Sequence, residues 1–158
     1  MTDTDPVAGT PLTARAGFLI SQLGFCAGAR FTERLAPLGL QPRHFGLLTH
    51  LAVGEGQTQQ QLADKMGIHR NVMVGLADDL ERRGLVHRDR HPDDRRAYAL
   101  YLTDAARDVL TQAQRAADDH DTELLAALVE PDRARLIELL QRIAAHTGLT
   151  PGVHPDLR

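Results

Sequence analysis

Cysteine occurs once in the 158 residues, as Cys26. One thiol excludes an internal disulfide and any multi-cysteine metal site. No apolar run reaches a length of about 18 residues, so a helical membrane span is excluded. The stretch Met1-Thr-Asp-Thr-Asp is acidic and does not lead into an apolar segment. No signal peptide is therefore expected, and a cytoplasmic location is. There is no Gly-rich phosphate loop, no Gly-x-Ser-x-Gly turn and no clustered set of ligating side chains. These absences argue against an enzyme and against a bound cofactor. The eight histidines are scattered. His87 and His91 are four apart but fall on a strand and its turn, so no metal site is expected. Internal repeats and low-complexity segments are also missing.

What is present describes one globular domain. Apolar residues make up 42% and charged residues 25%, as in chains that fold around a single core. The net charge of −3 speaks at first against nucleic acid. Its distribution speaks for it. Between positions 82 and 96 stand Arg82, Arg83, Arg88, Arg90, Arg95 and Arg96 against Asp89, Asp93 and Asp94, while acid gathers at Asp118, Asp119, Asp121 and Glu123. A basic element on a mildly acidic body fits a DNA binder that confines positive charge to its contact surface.

The expected elements follow from periodicity and caps. Residues 1–9 form a mobile tail. Thr10-Pro11 opens a helix to about Ala36, with Leu12, Ala16, Leu19, Ile20, Leu23, Ala27 and Phe31 as its stripe. Gly17, Gly24 and Gly28 inside it suit the close approach of another helix. A second helix starts after Gln41-Pro42, with Phe45, Leu48, Leu51 and Ala52 inward. Thr58 and Gln61 make a capping box for a third, which Gly67 closes. A fourth runs from about His69 to Arg83 with Val72, Leu76 and Leu80 inward, and Gly84 follows its end. Two β-capable runs, 85–89 and 97–102, flank the basic turn Arg90-His-Pro-Asp-Asp-Arg-Arg96, giving a hairpin wing. Thr103-Asp104 caps a long helix, and Pro131 starts a last one to about His146. The long terminal helices are expected to bury Leu12–Phe31 and Leu136–Ile143 against each other and a partner subunit.

This succession resembles the MarR family of winged-helix transcriptional regulators over about residues 10–146. The most specific segments are Leu80-Glu-Arg-Arg-Gly-Leu-Val-His-Arg, Pro92-Asp-Asp-Arg-Arg and Leu100-Tyr-Leu-Thr103. The resemblance implies a mainly α (α+β) fold with about six helices and a two- or three-stranded wing. It implies a winged-helix lobe over about 42–103 and dimerisation helices over about 10–36 and 104–147, while the Pro- and Gly-rich composition of 148–158 points to a C-terminal tail. It further implies a homodimer, with two recognition helices reading a pseudo-palindrome, and repression relieved by a small ligand or an oxidant.

The candidate DNA-binding residues come from both readings. At the start of the fourth helix, Asn71 can pair with adenine and Arg70 with guanine. His69 can donate or accept, and Met73 and Val74 offer apolar contact to thymine. By the family match, Gln59 and Gln60 contact phosphate. Arg96 enters the minor groove, and Asp94 holds its guanidinium in place. Arg88, Arg90 and Arg95 are phosphate candidates. Gly75 departs from the family, which often carries a longer side chain there. The family's effector region, between the dimerisation helices and the lobe, brings in Arg15, Gln22, Cys26, His44, His50 and His120 for a phenolic or carboxylate effector. Cys26 lies more than two turns beyond the place, near Gly17, where the peroxide-sensing branch of the family keeps its cysteine. An inert thiol is expected. A winged-helix protein-interaction module is the rival class, and the wing-tip arginines with Arg70-Asn71 speak against it.

Overall fold

A computed structural model of the chain describes residues 10–155. The expected tail at 1–9 lies outside the described residues. Six helices are described: α1 (Ala16–Leu35), α2 (Pro42–Val53), α3 (Gln59–Met66), α4 (Arg70–Arg82), α5 (Asp104–Leu124) and α6 (Glu130–His146). Three strands, β1 (Gln57–Thr58), β2 (Val86–Arg90) and β3 (Tyr98–Leu102), form an antiparallel sheet in the order β1-β3-β2. The short β1 pairs Gln57 with Leu100, and β2 pairs Arg90 with Tyr98 at the wing end.

The core sits inside the winged-helix lobe. Leu47, Leu48 and Leu51 of α2, Leu62 and Met66 of α3, and Met73 and Leu80 of α4 are fully buried. Leu100 of β3 joins them, and Ala106, Leu110 and Ala113 of α5 close the cluster. Caps fix where these helices begin. Thr58 Oγ1 accepts from Gln61 N (3.1 Å), and Gln61 Oε1 accepts from Thr58 N (2.7 Å), which is the expected reciprocal box. Thr103 Oγ1 accepts from Ala106 N (3.1 Å) at the start of α5. Gly67 and Gly84 turn the chain at φ 62° and 70°, a conformation that costs side-chain-bearing residues more.

Three expectations are corrected here. First, α1 begins at Ala16. Residues Leu12–Ala14 form a separate 3-10 turn, because Arg15 is extended (φ −98°, ψ 112°) and its Nε bonds back to Thr10 O at 3.0 Å. Secondly, the buried stripe of α4 is Met73, Leu76, Ala77 and Leu80, while Val72 is 39% exposed. Positions 72, 76 and 80 drift by about 40° per step on a helix of 3.6 residues per turn, whereas 73, 76, 77 and 80 hold one face. Thirdly, α1 and α6 do not bury one another within the chain. Leu19, Ile20 and Leu23 of α1, and Leu139, Leu140 and Ile143 of α6, are all exposed. The chain after α6 turns at Gly148 (φ 73°) and folds back on the lobe, where Val153 joins the core.

Candidate nucleic-acid interface

A concave surface of about 530 Å³ lies between the starts of α3 and α4 and the wing. Thr58, Gln59 and Gln60 line it from α3, Arg70 from α4, and Asp94, Arg96 and Tyr98 from the wing. Six residues singled out from sequence for DNA contact, Gln59, Gln60, Arg70, Arg88, Asp94 and Arg96, thus come from three separate segments onto one face. Among the described residues, no carboxylate pairs with Arg70, Arg95 or Arg96. Gln59 Nε2 is buried and has no hydrogen-bond partner. Gln60 Nε2 bonds to Asp64 Oδ1 at 2.8 Å. The start of a helix also carries the positive end of its dipole, which favours an anion here.

His69 caps α4 by accepting from Asn71 N at 3.2 Å. Capping is therefore done by the histidine, and the exposed Asn71 side chain is left for the groove. Met73 is corrected as a base contact, since it is fully buried in the core. Val72, expected inward, is the exposed apolar side chain on that part of the helix. Val74 is half-buried.

The wing arginines divide by their partners. Arg88 is held by Glu81 and Asp78 of α4, so its charge is compensated and it braces β2 against the helix. It also lines the concave surface. Arg90 Nη1 bonds to Arg95 O at 2.5 Å, and the guanidinium lies 5.5 Å from the Tyr98 ring centroid. It closes the hairpin. Asp94 does not hold the Arg96 guanidinium. Its carboxylate accepts from Arg96 N at 2.9 Å, and its carbonyl from Ala97 N at 3.0 Å. Asp94 builds the turn that projects Arg96 outward. His91 and Tyr98, which line the same surface, were missed in the sequence. A loop histidine and a strand-end tyrosine carry no periodic signal.

A second, larger cavity of about 1020 Å³ opens between α1 and α2. Gly24, Phe25, Gly28 and Phe31 line it from α1, Arg43, Phe45 and His50 from α2, Lys65 from α3, and Gly152 and His154 from the C-terminal segment. Among the described residues, nothing beyond the adjoining residues and the helix's own backbone lies within 4 Å of a Cβ placed at Gly24 or Gly28. Within the chain these glycines make room for a cavity, where the close approach of a helix was expected.

Of the six candidate effector residues, only His50 lines this cavity, with Nε2 3.2 Å from Gly152 O. His44 faces the other way and is fully buried. Its Nδ1 accepts from Gln41 N at 3.1 Å, and its Nε2 lies 3.0 Å from Asp79 Oδ2. Burial first, and then the charge of Arg83, hold the imidazole below its ordinary pKa, against the pull of Asp79. His44 is thus corrected from effector contact to a link between α2 and the recognition helix α4. His120 is buried beside the Phe31 ring, at 5.6 Å between centroids. Arg15 bonds to Thr10 O, Gln22 is exposed, and Cys26 is a half-buried free thiol. None of Arg15, Gln22, Cys26 and His120 reaches the cavity.

Comparison with known proteins decides what this arrangement is. A family model described as "MarR family" matches residues 38–97. A Thauera aromatica protein, assigned as the transcriptional regulatory protein for the hcr operon, is 34% identical over 141 residues, covering 89% of this chain and 85% of its own. The chain belongs to the MarR family. It is a winged-helix transcriptional regulator, and the sequence resemblance is confirmed. Among solved structures, the repressor CouR bound to a 23-mer DNA duplex is 34% identical at a TM-score of 0.76, covering 84% of this chain and 94% of that one. CouR from Rhodococcus jostii RHA1 bound to p-coumaroyl-CoA is 30% identical at a TM-score of 0.73, covering 86% and 96%. Among the described residues of this MarR-family chain, no helix is long and apolar enough to cross a membrane.

Proposed function

We propose that this protein is a cytoplasmic repressor that binds a pseudo-palindromic operator as a homodimer and leaves it when a small effector occupies the α1–α2 cavity. It acts by binding and not by catalysis. The recognition helix α4 enters the major groove with Arg70, Asn71 and Val72 foremost, near its N-terminus. Arg96 at the wing tip enters the adjoining minor groove, where an A·T-rich sequence strengthens the negative potential. Gln59, Gln60 and the start of α3 hold phosphate between them, and Arg95 adds a further phosphate contact.

The observation that carries this reading is the concave surface on which α3, α4 and the wing converge, with exposed arginines free of carboxylate partners. CouR, similar over most of the chain, is described as a repressor bound to duplex DNA. The effector half of the reading rests on the separate α1–α2 cavity and on the p-coumaroyl-CoA bound by CouR.

The deciding experiment is selection of binding sites from genomic DNA with the full-length protein, followed by titration on the selected duplex. A palindromic consensus bound by two chains is expected. Recovery of no enriched sequence would overturn the assignment.

A further inference from the structure

The α1–α2 cavity has two unlike walls. The α1 side is uncharged, with Gly24, Phe25, Gly28 and Phe31. The other side carries four basic residues from three segments: Arg43 and His50 on α2, Lys65 on α3, and His154 beyond α6. Among the described residues, no carboxylate lines the cavity. Lys65 is the only lysine in the chain. Neither Arg43 nor Lys65 enters an ion pair among the described residues, although Arg34, Arg82, Arg83, Arg88, Arg107, Arg133 and Arg135 all do. Both side chains are exposed. The positive charge of Arg43 and Lys65 beside an apolar hollow raises the local concentration of amphipathic anions.

We propose that this basic wall is a phosphate subsite, and that the effector is an acyl thioester of coenzyme A. The proposal rests on the reading of the cavity as the effector site. The acyl body packs on the α1 wall, and the nucleotide phosphates lie against Arg43 and Lys65. Two features favour this class over a free carboxylic acid. A carboxylate has one charge to neutralise, and one cation suffices for it. A nucleotide diphosphate carries several charges and uses a spread of donors. The cavity volume, about 1020 Å³, is at the top of the roughly 300–1,000 Å³ range for drug-sized ligands. A single-ring acid would leave most of it to water. Lys65 also stands on α3, the helix directly before the recognition helix. Phosphates bound there touch the DNA-reading unit itself.

The test is calorimetric titration of the full-length protein with benzoyl-CoA, p-coumaroyl-CoA, free coenzyme A and benzoate. Wild type is expected to bind at least one thioester more tightly than benzoate. The double variant Arg43→Gln/Lys65→Gln should bind that thioester about tenfold more weakly, keep its benzoate affinity within about twofold, and keep its operator affinity. Both replaced side chains are exposed, so the fold is retained. Equal thioester affinity in the double variant overturns the subsite, and so does benzoate binding more tightly than either thioester. Absence of binding by both thioesters overturns the ligand class. Gly28→Leu separates the two levels of the argument, because it fills the cavity. If Gly28→Leu abolishes thioester binding while the double variant binds the thioester as tightly as wild type, only the phosphate subsite has failed. If Gly28→Leu leaves thioester binding and operator release unchanged, the effector reading of the cavity has failed as well.

Discussion

Three arginines of the wing have the same chemistry and three different tasks. Arg88 is neutralised by Asp78 and Glu81, Arg90 closes the hairpin, and Arg96 projects from a turn built by Asp94. Charge that is already paired adds little to a phosphate contact, so the exposed Arg96, with no carboxylate partner among the described residues, should matter more for DNA than Arg88. Arg96→Ala is expected to weaken operator binding at least tenfold, about 1.4 kcal/mol, with the melting temperature unchanged. Fluorescence anisotropy on the selected operator checks this, and an unaltered affinity would remove Arg96 from the interface. His44 makes a prediction of another kind. Its folded-state pKa lies below the ordinary 6.5 because burial and then Arg83 disfavour the imidazolium. The unfolded chain therefore binds the extra proton more readily than the native one. The stability contributed by neutral His44 is complete above about pH 6.5 and is lost as pH falls through and below that value. Urea midpoints should drop between about pH 7.5 and pH 5.5. In His44→Gln that slope should flatten, and an equal slope in both proteins would show that other groups dominate.

At the scale of elements, caps and glycines decide what each helix can do. The reciprocal Thr58–Gln61 bonds start α3 and so present its first N–H groups to the concave surface shared with α4 and the wing. Thr58→Ala should cost about 1 kcal/mol of stability, read as a lower melting temperature, and should weaken operator binding too. Stability lost without any loss of affinity would mean that the α3 start does not touch DNA. The capping box, the helix-ending glycines and the hairpin turn were all legible in the sequence, because each is a local pattern of a few residues. The inward face of α4 was misread. Two equally apolar neighbours, Val72 and Met73, offer the core a choice, and only packing against α2 and α3 settles it. The C-terminal segment was read as a tail because Pro and Gly dominate it, yet Val153 is buried. A single apolar residue in an irregular stretch has no period to reveal it.

On the scale of the whole molecule, the terminal helices have too much uncovered apolar surface for a lone chain. Phe18, Leu19, Ile20 and Leu23 on α1 face solvent, as do Ile137, Leu139, Leu140 and Ile143 on α6. Contiguous patches of this kind mark subunit interfaces. Sedimentation should show a dimer, and Leu140→Asp/Ile143→Asp should shift it toward monomer with loss of operator affinity. A dimer that survives both charges would move the interface elsewhere. Two recognition helices in successive major grooves must sit about 34 Å apart, so an effector that shifts α1 or α6 changes that distance. Operator binding should also fall steeply from low to moderate salt, because the arginines displace counterions.

The sequence by itself determined the order of elements, the helix caps, the wing and the family, because those depend on residues near one another in the chain. It also marked Arg70 by its chemistry and its place at the start of a helix, and Gln59, Gln60 and Arg96 through the resemblance to the family. Only the tertiary structure decided which charges are spent within the protein and which remain. That Arg88 is neutralised becomes visible only when α4 brings Asp78 and Glu81 against β2. The α1–α2 cavity was decided in the same way. Its walls come from α1, α2, α3 and the chain beyond α6, more than a hundred residues apart at the extremes, and no local pattern encodes a space between distant segments.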